Sequence, residues 1–597
     1  MPSYKAPVDD VLFLLNDVFH IDRYGNLPGF ADVSGDVIAA ILTETAKFCE
    51  EVLAPLNRIG DKEGCTFHPN GRVTTPHGFK EAYRRLVDGG WIGISAPIEF
   101  GGQGLSMAIT EAIDEFLGAA NMAFAMYSGL TQGALSTLYI HGSPEQKAAY
   151  LPHLIAGTWT GTMNLTEPHC GTDLGLVRTR AVPQPGGSYA ITGTKIFISA
   201  GEHDLAENIV HLVLARIEGA PEGTKGLSLF VVPKLIPNAD GSPGRRNGVA
   251  CTSIEAKMGI HGNSTCVMNY DAATGWLVGE ANRGLHAMFT MMNEARLGVG
   301  VQGLAVSEVA YQNAAAYAKE RLQGRALAGA KFPAKSADPI IVHPDVRRNL
   351  MTIKAFNEAA RALVLWTALQ ADVARRTDDD EARRAADDHL GLLTPVIKGV
   401  LTDQGFANAV MAQQIFGGHG YIVETGMEQF VRDARIAMIY EGANAIQALD
   451  LVGRKLGRHG GRAVMAFFNE IEEFIKEHGD EAMKPYVGPL ATALGHLQQA
   501  TMWFMQNAID KPDNAGAGAW DYMHLMGLVA LGYMWCRMVE AARRQLAVCA
   551  RDAADRLNAK LATGRFFMQR MLPETATQLA RITSGAASTM ELPAEAF

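Results

Sequence analysis

Met438-Ile439-Tyr440-Glu441-Gly442-Ala443-Asn444 sets a lone carboxylate among apolar neighbours, with glycine immediately after it. The lead-in, Asp433 to Ile439, starts too polar for a core strand and ends too apolar for a solvated loop. The run that follows, Ala445 to Val452, spaces its apolar residues as a helix does. Glu441 therefore reads as a carboxylate on a turn just before a helix, with Gly442 permitting close backbone approach. A base that removes a weakly acidic C–H proton needs such a setting: a dry pocket that raises its pKa, and hydrogen-bond donors beside it. A carboxylate stabilised by the dipole of the following helix would look the same, and taken alone the stretch favours that plainer reading. The rest of the chain reverses it.

At 597 residues the chain has room for several domains and a large core. Its 48% hydrophobic and 19% charged residues fit a soluble globular protein. A net charge of -10 argues against nucleic acid as the main partner. Seven cysteines without a CxxC pair predict free thiols in a reducing compartment and no zinc site. Asp9 and Asp10 precede only a very short apolar run, which is unlike a signal peptide. The longest apolar run, Leu525 to Cys536, is too short to span a bilayer. The expectation is a cytoplasmic enzyme with no membrane partner. The twenty-five methionines read as core filler more readily than as a binding surface.

Along the chain, residues 1–35 read as an amphipathic helix, with Phe13, Leu14, Val18 and Phe19 on its apolar face, and a loop ending at Pro28-Gly29. Residues 36–159 read as a helical domain, interrupted by the glycine-rich loop from Trp91 to Leu105. Residues 160–283 become strand-like. Tyr189 to Ser199 reads as strand, Gly193 turn and strand; Ile209 to Ala215 and Gly226 to Val232 read as buried strands. A small barrel or sandwich follows. Residues 284–460 return to helices: a long one to about Arg321, a loop over 322–345, then Val346 to Arg376, His389 to Phe416 and Asn444 to Leu456. Gly457 to Gly461 reads as a joint. Residues 461–597 form a further helical domain with nearly balanced charge. The order is segregated α, β, α, α rather than βαβ winding, an α+β multidomain class.

Gly298-Val299-Gly300-Val301-Gln302-Gly303 matches GxGxxG, but the text before it is helical, so close helix packing at small residues is the better reading. Met163-Asn164-Leu165-Thr166-Glu167-Pro168-His169-Cys170-Gly171-Thr172-Asp173 enters the β region with hydroxyls and turn amides able to bind a polar ring and a phosphate. A turn that merely closes a barrel would look similar. Lys195 to Gly201 alternates as a strand and presents Phe197 and Ser199 on one face, an aromatic plane beside a hydroxyl.

These stretches, in this order and at this separation, resemble the acyl-CoA dehydrogenase family. So do Trp91-Ile92-Gly93-Ile94-Ser95-Ala96-Pro97, Lys257-Met258-Gly259-Ile260-His261-Gly262 and Gln414-Ile415-Phe416-Gly417-Gly418-His419-Gly420-Tyr421. The resemblance covers about residues 40 to 456. It implies an N-terminal α-helical domain, a middle β-barrel domain and a helical bundle carrying the catalytic Glu, here followed by an extra C-terminal helical domain. It implies FAD, held between the β domain and the following helices at a subunit interface.

The resemblance also assigns residues. Met163, Leu165 and Thr166 would line the isoalloxazine, and Gly171 and Thr172 would hold the pyrophosphate. Phe197 stands where many members carry tryptophan, and Ser199 where they carry threonine or serine. Arg321, Gln414 and Gly418 match positions that reach the flavin of a neighbouring subunit. Glu441 matches the catalytic base, and Thr172, Arg296 and Gly442 the substrate contacts. Some members instead carry the base just before an arginine of the long helix; here that place is Ala295, and Glu294 is one residue out of register. Two departures stand out: Ala443 replaces a common threonine, and the 322–345 loop is long. The loop, the N-terminal helix and the extra domain resemble a roughly 600-residue bacterial branch acting on a methylthio-substituted short acyl-CoA or on a broad range of fatty acyl-CoAs. The implied reaction forms an α,β-double bond in an acyl-CoA thioester, with an electron-transferring flavoprotein as acceptor. A homo-oligomer is expected, a dimer because the extra domain could cover the surface that short members use as tetramers. Two alternatives are an acyl-CoA oxidase and a DNA-binding flavoprotein of the same fold. The latter needs a basic C-terminal face, for which Arg543, Arg544, Arg551, Arg556 and Lys560 could cluster.

Overall fold

The computed structural model describes residues 2–30, 33–508, 510–548 and 551–597, without the side chains of 551–553. In chain order it contains α1 (Val8–Phe13), α2 (Gly35–Phe48), α3 (Ala54–Glu63), β1 (Thr66–Phe67), β2 (Val73–Thr74), α4 (Phe79–Asp88), α5 (Met107–His141) and α6 (Pro144–Ala156). Nine strands follow: β3 (Trp159–Asn164), β4 (Arg180–Pro183), β5 (Tyr189–Ser199), β6 (Asn208–Ile217), β7 (Leu227–Pro233), β8 (Leu235–Pro237), β9 (Pro243–Arg246), β10 (Val249–Ile254) and β11 (Thr265–Val278). The remainder is helical: α7 (Gly284–Glu320), α8 (Pro344–Arg376), α9 (Asp380–Ile415), α10 (Met427–Arg435), α11 (Asn444–Asp450), α12 (Arg462–Glu477), α13 (Lys484–Asn507), α14 (Pro512–Leu546), α15 (Arg551–Arg570) and α16 (Glu574–Thr583). The chain divides into two compact units, Thr45–Gly298 and Met1–Glu44 with Val299–Phe597.

In the first unit the strands close on themselves. β11 pairs with β5, β5 with β4, β4 with β6, β6 with β7, and β7 returns to β11. β10 extends the sheet along β11, and β3 runs parallel to β6. The barrel alternative of the sequence reading is the one adopted, because closure leaves few edges unpaired. β6 and β7 are rich in apolar residues on both faces, because both faces are buried. Val213, Ala215, Phe230 and Val232 fill the barrel, while Leu212, Leu214, Leu229 and Val231 pack with Leu138, Leu154 and Met291 of the helices. α6 begins on a reciprocal Ser143–Gln146 capping box and stops at a left-handed Gly157.

Tyr189–Ser199 is one strand rather than strand, turn and strand. Gly193 is there for close approach: a Cβ at that position would lie 2.4 Å from Thr179 Oγ1. The β1–β2 hairpin and α10 had no counterpart in the sequence reading. α9 begins nine residues before His389, because Asp379 caps it by accepting from the Glu381 and Ala382 amides at 2.8 and 3.3 Å. That first stretch is largely solvated, so it has no apolar period to read.

In the second unit the GxGxxG run lies inside α7, as close packing requires. A Cβ on Gly303 would fall 2.4 Å from Leu401 O, and one on Gly405 would fall 2.3 Å from Gly303 O. α14 is long and apolar enough to cross a membrane by length and composition, yet 83% of its apolar window is buried in the unit. It is the core helix of the C-terminal bundle. The N-terminal helix is fastened through Asp10, which meets Arg361 Nη1 at 2.6 Å and the Lys560 ammonium. Burial alone would raise the Asp10 carboxyl; Lys560 and Arg361 hold it well below the carboxylate range. Arg543 pairs with Asp480, Arg544 with Glu540, Arg556 with Asp9 and Lys560 with Glu358. The basic face that the DNA-binding alternative needs is thus neutralised at each of these positions; the Arg551 side chain lies outside the described residues.

Candidate active site

β3 delivers Met163, half-buried, and its continuation places Leu165, Thr166, Gly171 and Thr172 in one tight loop. The loop folds on itself, Glu167 and Cys170 exchanging backbone hydrogen bonds at 2.9 and 3.1 Å. It is fastened to β5 at three points. Ile196 N donates to Thr166 O at 2.9 Å, and Lys195 Nζ donates to Leu165 O and to Glu167 Oε1, both at 2.8 Å. Glu167 also accepts from Thr179 N, Thr179 Oγ1 and Arg178 N at 3.0, 2.6 and 2.8 Å. The pair is buried. Desolvation pushes the Glu167 carboxyl up, but Lys195 and these donors overcome it and leave the group below its ordinary value. Burial draws the Lys195 ammonium down while Glu167 pulls it back up.

The same strand end carries Phe197 and Ser199. A bulge interrupts the β11–β5 register between Ile198 and Lys195, and Phe197 takes φ 59° with 60% of its surface exposed. An aromatic residue in left-handed backbone is strained, and a bulge re-aims a side chain. Ser199 is half-buried beside it. An exposed ring and a loop of exposed amides and hydroxyls at Gly171 and Thr172 suit a planar heterocycle bearing phosphates. Asp173 turns its Oδ1 back onto the loop, accepting from Gly175 N at 3.0 Å. Glu167, His169 and Cys170 offer ligand atoms within 4.8 Å of one another. That grouping is no metal centre, because the Glu167 carboxylate is already consumed by Lys195 and three donors. Arg296, in the same unit, is buried on α7 and approaches Asn293 Oδ1 at 3.4 Å.

In the other unit Glu441 occupies the turn before α11, as the sequence reading had it. Glu441 and Gly442 take φ 55° and 85° in succession. Such a conformation persists in a non-glycine residue only when its surroundings over-determine it, and here the carbonyls are held. Gln447 Nε2 donates to Glu441 O at 3.1 Å and to Gly442 O at 3.3 Å, and Lys398 Nζ donates to Gly442 O at 2.7 Å. Tyr440 is turned inward onto Gln302 of α7, with burial and the neighbouring Glu441 raising its phenol strongly. The cap of α11 is Ala443, with no side-chain acceptor. The helical run continues past α11 through a π turn, Leu451–Lys455.

Arg321, Gln414 and Gly418 are exposed. The ends of α7 and α9 that carry them come together, Tyr317 stacking on Phe416 with centroids 4.1 Å apart. Arg321 is anchored by backbone alone, donating to Tyr317 O and accepting from Ile340 N at 2.8 Å each. Sequence reasoning missed Glu167, Lys195, Lys398 and Asn444. A lysine in a strand and one in an apolar stretch of helix were the available signals, since each must find a partner when buried.

With this geometry described, similarity to known proteins is specific. Residues 38–158, 162–273 and 282–456 match the families described as acyl-CoA dehydrogenase N-terminal, middle and C-terminal domains. Residues 467–593 match the acetyl-CoA dehydrogenase C-terminal-like family. The chain is 45% identical to 3-methylmercaptopropionyl-CoA dehydrogenase of Ruegeria pomeroyi, over 97% of this chain and 98% of that one. It is 36% identical to the broad-specificity linear acyl-CoA dehydrogenase of Mycobacterium tuberculosis, over 96% of each. A Bacillus anthracis acyl-CoA dehydrogenase crystallised with FAD shares the fold, with TM-score 0.73 and 22% identity over 96% of this chain and 91% of that one.

Proposed function

Because the chain belongs to the acyl-CoA dehydrogenase family, we propose that it oxidises 3-methylmercaptopropionyl-CoA to 3-methylthioacryloyl-CoA with Glu441 as the base. The coarser activity is that of the family: an FAD-dependent oxidoreductase acting on the CH–CH bond of an acyl-CoA. The observation that carries the substrate is the 45% identity spanning nearly all of both chains. The broad-range alternative has 36% over a similar span.

Glu441 takes the α-proton of the thioester onto its carboxylate, while its backbone N–H polarises the thioester oxygen and so acidifies that carbon. Bound FAD supplies the acceptor for the β-hydride, so that two hydrogens leave and one C=C bond forms. Met163, Leu165, Thr166, Phe197 and Ser199 would hold the flavin ring, and Gly171 and Thr172 its pyrophosphate. Thr172, Arg296 and Gly442 meet the acyl-CoA. The electrons go on to an electron-transferring flavoprotein. We assign a homodimer and a cytoplasmic location on the same reading.

Anaerobic flavin bleaching against 3-methylmercaptopropionyl-, butyryl-, octanoyl- and palmitoyl-CoA tests the substrate. The methylthio thioester is expected to bleach fastest at equal concentration. Fastest bleaching by octanoyl- or palmitoyl-CoA would replace it with the broad-range reading, and rapid reoxidation of the bleached flavin by oxygen would make the protein an oxidase. Arg321→Ala is expected to lose FAD on dilution with little change in acyl-CoA affinity, because a guanidinium fork is at its most useful on phosphate. Equal FAD content in mutant and wild type after dilution and gel filtration would remove Arg321 from the site.

A further inference from the structure

The turn bearing Glu441 is held from beneath by a chain of buried polar groups that ends in the extra C-terminal domain. Lys398 is fully buried on α9 and gives one hydrogen bond to Gly442 O and another to Asn444 Oδ1, each at 2.7 Å. Asn444, the first residue of α11, turns its amide nitrogen the other way. Nδ2 donates to Asp403 Oδ1 at 2.6 Å, to Thr402 Oγ1 at 2.9 Å and to Gly399 O at 3.1 Å. A cation on one side and a carboxylate on the other fix the orientation of this amide, since its flipped form would aim donor at donor and acceptor at acceptor. The second oxygen of Asp403 faces α14, accepting from His524 Nε2 at 2.9 Å and Trp520 Nε1 at 3.1 Å.

The two helices are close enough for this because glycine stands at their contact on each side. A Cβ on Gly399 would fall 2.3 Å from Met523 Sδ, and one on Gly527 would fall 2.7 Å from Val400 Cγ2. Trp520, Met523, His524 and Gly527 lie on one face of α14 at helical spacing, and Gly399, Val400 and Asp403 on one face of α9. α14 belongs to the segment that lies beyond the matched acyl-CoA dehydrogenase C-terminal domain.

We propose that Asp403 is a positioning residue for Glu441, acting through Asn444 and the Gly442 carbonyl, and that the C-terminal domain takes part in catalysis by holding Asp403 through Trp520 and His524. This rests on the reading of Glu441 as the base. The left-handed turn holds the Glu441 backbone under strain. Loosening its clamp lets the carboxylate drift from the carbon it must deprotonate, while flavin binding, which uses other groups, stays as it is and acyl-CoA keeps its contacts at Thr172 and Arg296. Displacement of about 1 Å at a reacting centre costs on the order of 10²-fold in rate.

The test is single-turnover flavin bleaching of FAD-loaded full-length variants at saturating acyl-CoA, with FAD content and acyl-CoA dissociation constant measured alongside. Asp403→Ala is expected to slow bleaching by on the order of 10²-fold, with FAD content held within about twofold and a loss of acyl-CoA affinity well below the loss of rate. His524→Ala at the half-buried end is expected to slow it by about tenfold, and His524→Gln, whose amide restores a donor to Asp403, to recover most of that loss. In a Glu441→Gln background Asp403→Ala is expected to add nothing, because residues acting through one another are not additive. Wild-type bleaching in both Asp403→Ala and His524→Ala overturns the proposal. So does a rate loss that only tracks lost FAD, or one that persists in full in the Glu441→Gln background. If Glu441→Gln itself bleaches at the wild-type rate, the assignment of the base fails, and that result is separate from the others.

Discussion

Glu441→Gln is expected to give a folded, yellow protein that binds acyl-CoA but whose flavin bleaches ~10²–10⁴ times more slowly than wild type. The substitution keeps the size of the side chain and removes only its basicity. The turn should survive, because it is held by its carbonyls. Gln447 and Lys398 grip Glu441 O and Gly442 O, and neither bond involves the Glu441 carboxylate. An amide cannot accept the α-proton, and water is too weak a base for a C–H acid. Stopped-flow bleaching under argon is the measurement. A near wild-type rate would move the base elsewhere, with Glu294 the first residue to try next. A variant that fails to fold would instead restore the helix-terminus reading of the stretch.

Glu167→Ala is expected to lower stability by about 3–5 kcal/mol, the cost of leaving Lys195 buried with its charge uncompensated. The same change removes one of the three ties between the Leu165–Thr172 loop and β5, so FAD retention should fall with it. Removing both charges as Glu167→Leu with Lys195→Met should recover most of the stability, since an apolar pair of similar volume replaces a desolvated ion pair at little net cost. Urea unfolding midpoints and flavin content report the two effects. The sign with pH follows from the carboxyl. Its folded value lies below its unfolded value, so its contribution is complete above the unfolded carboxylate pKa and is lost as pH falls through the folded one. Wild type should therefore lose its advantage over the double variant in acid. An unchanged midpoint in Glu167→Ala would mean that water reaches Lys195 and solvates it.

Much of this molecule is legible without coordinates. The succession of helices, barrel strands and helices follows from local apolar periods, because each element buries a face and the spacing of that face is written within a dozen residues. β6 and β7 show it as short, mainly apolar runs, α7 as methionines and small residues. The places of Glu441 and Phe197 could also be read, since a carboxylate before glycine and an aromatic at a strand end are local patterns. α10 and the solvated start of α9 were illegible for the opposite reason, a short element and an exposed one. Gly193 was misread because a glycine needed for close approach cannot be told from one needed for a turn until its neighbour, Thr179, is in place.

Tertiary structure alone decided how the functional side chains are held. Glu167 and Lys195 are 28 residues apart, Lys398 and Asn444 are 46, and Asp403 and His524 are 121. Partners across such distances leave no period in the sequence, and a buried charge announces only that it needs a partner, not which one it has. The left-handed backbone at Phe197 and Glu441 is likewise invisible locally, because both residue types prefer other conformations. It exists because the β5 bulge and the Lys398–Gln447 clamp exclude the alternatives. The sequence thus determined which residues are candidates for the chemistry, through patterns that are local, and the packed chain decided their conformation, through electrostatic and steric constraints that are not.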